Sequence, residues 1–98
     1  MTRVDESPPQ RVTIPQHVVF RTFAEETVVL NLESGRYHGL NRTAGRMLEL
    51  LGELGALDSV AERLVQETGA PEARVGVDLR EFCASLVERG LIEVDPGT

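Results

Sequence analysis

Three side chains in this sequence could hold a metal or attack a bond: His17, His38 and Cys83. A metal site draws its ligands from His, Cys and carboxylates clustered at short, defined spacings. These three stand in three separate segments, and the spacing predicts no metal site. A nucleophilic cysteine needs an exposed, electropositive setting. Cys83 stands beside Phe82 and in register with Leu79, where a small core residue is expected. Gly35, Gly39 and Gly45 have neither phosphate-loop nor dinucleotide-binding spacing. The sequence therefore predicts no catalytic group, no cofactor and no metal. The chemistry left is that of the backbone. The run Arg36-Tyr37-His38-Gly39-Leu40 is extended in pattern and carries no proline. At the edge of a sheet, such a run presents free N–H and C=O groups to another chain.

The surrounding elements must position that run. Thr27 to Leu32 is β-branched and aliphatic, which suits a pleated surface. Glu33-Ser34-Gly35 follows as a three-residue hairpin loop, with Gly35 where positive φ is needed. Val18 to Phe23 is a third strand candidate, joined to Thr27 by the polar Ala24-Glu25-Glu26. Short connections make these three strands an antiparallel meander with Arg36 to Leu40 last, hence at an edge. Asn41 stands where a helix N-cap belongs. From Arg42, Ala44, Met47, Leu48, Leu51 and Leu54 form one apolar stripe of a first helix ending at about Leu54.

The remainder reads as two more helices and a short strand. Ser59 and Glu62 have capping-box spacing, which predicts a second helix from Val60 to Thr68, closed by Gly69. Pro71 suits the first position of a third helix running to about Arg89. Its apolar face is Val75, Leu79, Phe82, Cys83 and Leu86. Gly90 ends it, and Leu91 is expected to fold back on Leu86 in a Schellman motif. Leu91 to Val94 is a final strand or extended tail. The predicted class is α+β: a three-stranded antiparallel sheet on a three-helix bundle of winged helix-turn-helix-like plan. Residues 1–16 contain Pro8, Pro9 and Pro15 and have no period. They read as a flexible arm before a domain at 17–94, with 95–98 as a tail.

Composition narrows the partners. Ninety-eight residues make one domain without room for a deep enclosed site. No apolar run is long enough to span a membrane, and the first residues lack a secretion signal. A lone cysteine fits a reducing compartment, so a cytoplasmic location is expected. A net charge of −6 disfavours nucleic acid and anionic membranes as partners. The third helix sets Glu72, Asp78, Glu81 and Glu88 against Arg74, Arg80 and Arg89, a poor recognition helix for DNA. Two readings of the edge strand stay open on these grounds. Arg36 and His38 blunt it, or Gly39 and Tyr37 make it a docking strand for an extended peptide.

The stretch from Val28 to Leu51, "VVLNLESGRYHGLNRTAGRMLELL", resembles the signature of the PqqD-like family. The likeness runs from about Val18 to about Val94. Members are small recognition domains that bind precursors of ribosomally made peptides. The resemblance implies three strands on three helices. It implies that the leader of a precursor peptide is captured as a fourth strand, between the third strand and the third helix. Carried over, Arg36, Tyr37, His38, Gly39 and Leu40 supply the edge, and Val75, Asp78, Leu79 and Phe82 the helix wall. Such domains do no chemistry and hold the precursor for a separate enzyme. The hairpin Leu30-Asn31-Leu32-Glu33-Ser34-Gly35-Arg36-Tyr37 looks more like the stand-alone recognition proteins of lasso-peptide biosynthesis, which partner a leader peptidase. Partnership with a radical enzyme, as in pyrroloquinoline quinone biosynthesis, is the alternative within the family.

Overall fold

The computed structural model describes residues 10–95. The chain runs β1 (Arg11–Thr13), β2 (Val18–Thr22), β3 (Glu26–Asn31), β4 (Tyr37–Asn41), α1 (Arg42–Leu54), α2 (Leu57–Thr68), α3 (Glu72–Glu88) and β5 (Glu93–Asp95). β2, β3 and β4 form one antiparallel sheet in that order, and β1 pairs with β5 in a second. The fold is α+β, three helices with antiparallel sheets.

The hairpin between β3 and β4 is built by one side chain. Asn31 Oδ1 accepts from the N–H groups of Glu33 at 2.9 Å and Ser34 at 3.2 Å. The Gly35 N–H donates to the Asn31 carbonyl, and Gly35 has φ +75. An Asx-type turn thus fixes the chain reversal before any tertiary contact is needed. The loop is wider than three residues, because the strands stop at Asn31 and resume at Tyr37 rather than Arg36. Asn41 ends β4 and also caps α1, its Oδ1 accepting from the Ala44 N–H at 2.9 Å. One residue therefore couples the edge strand rigidly to the helix.

α1 is buried on more than one side. Leu48 and Leu51 of the expected stripe are buried, but so is Leu50, which lies off it. The sheet and β1 cover one flank, and α2 packs on another. Val29, Val60, Leu86 and Leu91 close the same core. Thr27 is a buried polar residue at the sheet–helix contact, its hydroxyl hydrogen-bonded to that of Thr22 at 3.2 Å.

The helix ends divide into those that local sequence sets and one that it does not. At the end of α3, the Leu91 N–H donates to the Leu86 carbonyl and the Gly90 N–H to that of Val87. With Gly90 at φ +73, this is the expected Schellman motif. Pro71 occupies the cap of α3 rather than its first turn. The Ser59–Glu62 capping box does not form. α2 begins earlier, at Leu57, with Ala56 at the cap and no side-chain cap bond. The Leu57 N–H instead donates to the Gln10 carbonyl at 3.0 Å. A main-chain acceptor from the N-terminal segment does the work of a cap.

That segment departs most from expectation. Residues 11–13 are not a free arm, because they pair with residues 93–95. The Val12 N–H also donates to the Gly55 carbonyl at 2.7 Å, and Val12 is buried. The remainder of the expected arm, residues 1–9, and residues 96–98 of the expected tail lie outside the described residues.

A candidate peptide-docking edge

β4 pairs with β3 on one side only, and its other side is a sheet edge. Its hydrogen-bond direction follows from the register. The Asn31 N–H donates to the Arg36 carbonyl, and the pairs Leu30–Tyr37, Val29–His38, Val28–Gly39 and Thr27–Leu40 follow in order. Antiparallel pairs alternate between bonded and non-bonded. His38 and Leu40 therefore spend their main-chain groups on β3. Tyr37 and Gly39 point theirs at the open edge, and Asn41 points its N–H there while its carbonyl serves α1 as the N-cap. Side chains alternate as well: Leu40 is buried and His38 half-buried on the core face, while Tyr37, at 74% exposure, stands on the outer face. Arg36 lies in the loop before the strand, with its N–H donating to Ser34 Oγ.

The four residues expected on the helix wall do not behave alike. Val75 and Leu79 are buried in the core that Leu40 shares, with Leu79 only 2% exposed. Leu79 thus supports the wall from within and offers little surface of its own. Phe82 is half-buried and packs against that core. Asp78 is exposed, 3.6 Å from Arg74 one turn earlier. α1, not α3, is the main helical neighbour of β4.

Val75 and Asp78 reach a small apolar cavity of about 150 Å³. Its other walls are Thr43 and Met47 of α1, Leu64 and Thr68 of α2, and Ala70 between α2 and α3. The cavity lies beside the first turn of α1, which begins directly after β4. Thr43 and Met47 were not legible as site residues, since Met47 belongs to the core stripe. A larger open cleft of about 720 Å³ is lined by β1, Phe20 and α1, and includes no residue of β4 or α3. Two of the charged groups there, Arg46 and Glu49, are engaged structurally. Arg46 bridges to Glu67 and to Glu49, and Glu49 also accepts from the Thr22 hydroxyl at 2.7 Å. The hydrogen bonds from Thr22 and then Arg46 hold Glu49 below the usual carboxylate range. The Arg46 bond does the same for Glu67, and both partners raise Arg46.

Cys83 is buried, and desolvation pushes its thiol up to about 11, so it is protonated at neutral pH. Among the described residues no group of three or more His, Cys, Asp or Glu side chains could hold a metal ion. No helix of the described residues is long and apolar enough to cross a membrane.

An antiparallel sheet whose last strand lies at an open edge leads directly into a three-helix bundle. The chain belongs to the PqqD family: the family described as coenzyme PQQ synthesis protein D matches residues 26–92. That match runs from the start of β3 to Ile92 and omits β1 and β2. Two solved structures share the fold. One is TbiB1 in complex with the TbiA(beta) leader peptide, 30% identical, with a TM-score of 0.76 over 82% of this chain and 93% of that one. The other is lasso peptide synthetase B1 complexed with the leader peptide, 23% identical, with a TM-score of 0.75 over 85% of this chain and 98% of that one. No curated protein matches the chain.

Proposed function

We propose that this protein binds the leader segment of a ribosomally made precursor peptide as an added strand on β4, in lasso-peptide biosynthesis, and delivers it to a separate leader peptidase. The observation that carries the reading is the open edge of β4, in a chain 30% identical to a protein captured with a leader peptide. Tyr37, Gly39 and Asn41 hold their free groups in extended geometry, so the protein loses little entropy when the peptide pairs with them. The peptide arrives disordered, and backbone bonds alone give modest affinity. Its apolar side chains then anchor on Phe82 and in the cavity bounded by Val75 and Met47, with Asp78 as a polar contact at the rim. Arg36, His38, Leu40 and Leu79 shape this site from the loop and from beneath.

In this reading the protein does no chemistry. It works in the cytoplasm, without cofactor, and raises the effective concentration of the precursor at the peptidase. Its helices, laid out like a winged helix-turn-helix, serve as a wall for peptide and not as a reader of DNA, in keeping with the net charge of −6.

The test is amide exchange with and without a lasso-type leader peptide. Exchange at Tyr37, Gly39 and Asn41 slows on binding, while His38 and Leu40 are already slow. Gly39→Pro removes a donor that faces the edge, weakening binding roughly 2- to 13-fold with little change in melting. His38→Pro removes a bond to β3 and lowers melting. Protection confined to β2 or α2 refutes strand addition at β4. Specific, salt-sensitive binding to duplex DNA without peptide binding refutes the whole assignment.

A further inference from the structure

On the outer face of the sheet, Val28 stands opposite Gly39 and Glu26 opposite Asn41, so Glu26 and Gly39 are diagonal neighbours. Gly39 leaves a gap there, and the Glu26 carboxylate fills it: a Cβ built on Gly39 would lie 2.6 Å from Oε2 and 3.7 Å from Cδ of Glu26. The carboxylate thus occupies the place of a side chain at position 39, one strand closer to the open edge than its own backbone. Glu26 is exposed, and none of the ion pairs among the described residues includes it. Neither nearby cation is ion-paired with it: Arg21 stands opposite Val28 on the far strand β2, and Arg42, which begins α1, lines a cleft together with Glu26. His38 points to the other face of the sheet.

We propose that Glu26, reaching across Gly39, selects a lysine or arginine on the docked peptide at the residue that pairs with Gly39. This rests on strand addition at β4. Residues directly opposite on neighbouring strands share a face, with Cβ atoms roughly 4.5–5.5 Å apart. The peptide residue opposite Gly39 therefore projects its side chain beside the carboxylate of Glu26. A Lys or Arg there meets a carboxylate that makes no ion pair among the described residues, whereas an Asp or Glu meets like charge across the strand gap. An ordinary side chain at position 39 would stand between the two strands and push the carboxylate away. The pair is solvent-exposed, so it discriminates between peptides more than it adds affinity.

The experiment begins with short random peptides displayed and selected on the full chain. Binders that slow amide exchange at Tyr37, Gly39 and Asn41 are kept, and cross-strand NMR contacts to Gly39 identify the paired residue. That residue is then varied among Lys, Gln and Glu. The wild type binds the Lys peptide roughly 5-fold more tightly than the Glu peptide. Glu26→Gln abolishes the difference and Glu26→Lys reverses it, with melting unchanged for both. Gly39→Ala, which displaces the carboxylate, narrows the difference. Equal binding of Lys and Glu peptides to the wild type, or a preference that survives Glu26→Gln, overturns the proposal and leaves strand addition standing. If no selected peptide protects β4, strand addition itself falls, and this inference with it.

Discussion

Gly45→Ala tests how tightly the sheet is clamped to the helix that carries its edge strand. Gly45 is buried in α1 against β3, and an added Cβ would lie 2.2 Å from Thr27 Oγ1 and 2.9 Å from Thr27 Cβ. Two effects oppose each other. Alanine is favoured over glycine inside a helix by about 0.8–1 kcal/mol. Overpacking a close-packed contact costs about 1–3 kcal/mol. The hydroxyl cannot simply rotate aside, because a β-branched side chain has few χ1 choices and Thr27 Oγ1 is hydrogen-bonded to Thr22. Nor does rotation move Cβ, which is fixed to the backbone of β3. Helix and strand must separate, so the clash wins, and the net loss is roughly 1–2 kcal/mol. For a domain of this size that lowers Tm by roughly 5–15 °C. Thermal and urea unfolding followed by circular dichroism give the value. Thr27→Ala in the same background removes the closer contact, so the double variant loses less than the sum of the singles by about 0.5 kcal/mol or more. A Gly45→Ala protein that melts at or above the wild type refutes the reasoning, since propensity would then outweigh a contact free to relax.

Asn31→Ala removes the acceptor for the Glu33 and Ser34 N–H groups and costs about 1 kcal/mol, with faster amide exchange in residues 33–37 as the readout. Leu79→Ala lowers stability by about 2–5 kcal/mol because Leu79 is core. Half-buried Phe82→Ala lowers it by only about 1–3 kcal/mol, with peptide binding lost beyond what unfolding explains. The folded-state values of Glu49 and Glu67 lie below the ordinary 4.5, so their contribution is fully present above that pH. It is lost as pH falls through the lowered values, and Arg46→Gln flattens this part of the Tm–pH profile on the acid side of 4.5. An unchanged profile would show that the Arg46 bridges do not persist in solution.

What is built from near neighbours along the chain follows from local chemistry alone. The Asn31 turn, the Asn41 cap, and the Gly90–Leu91 closure on Leu86 each join groups no more than a few residues apart. The short connections of the meander, equally local, put β4 at an edge, and the helix period put Val75, Leu79 and Phe82 on one stripe. Contacts between distant segments set the rest. The strand at Arg11–Thr13 exists because its partner is Glu93–Asp95, at the other end of the described chain. The start of α2 moved because an acceptor arrived from Gln10, and a main-chain carbonyl satisfies an orphan N–H as well as a serine does. Leu79 turned from wall to core, and Leu50 was buried off its stripe, because more than one layer covers each helix. Which N–H groups of β4 face the open edge, and that Glu26 fills the gap at Gly39, follow from inter-strand register. Register is set by which residues of two strands meet across the sheet, and periodicity within one strand fixes only its alternation, not its partner.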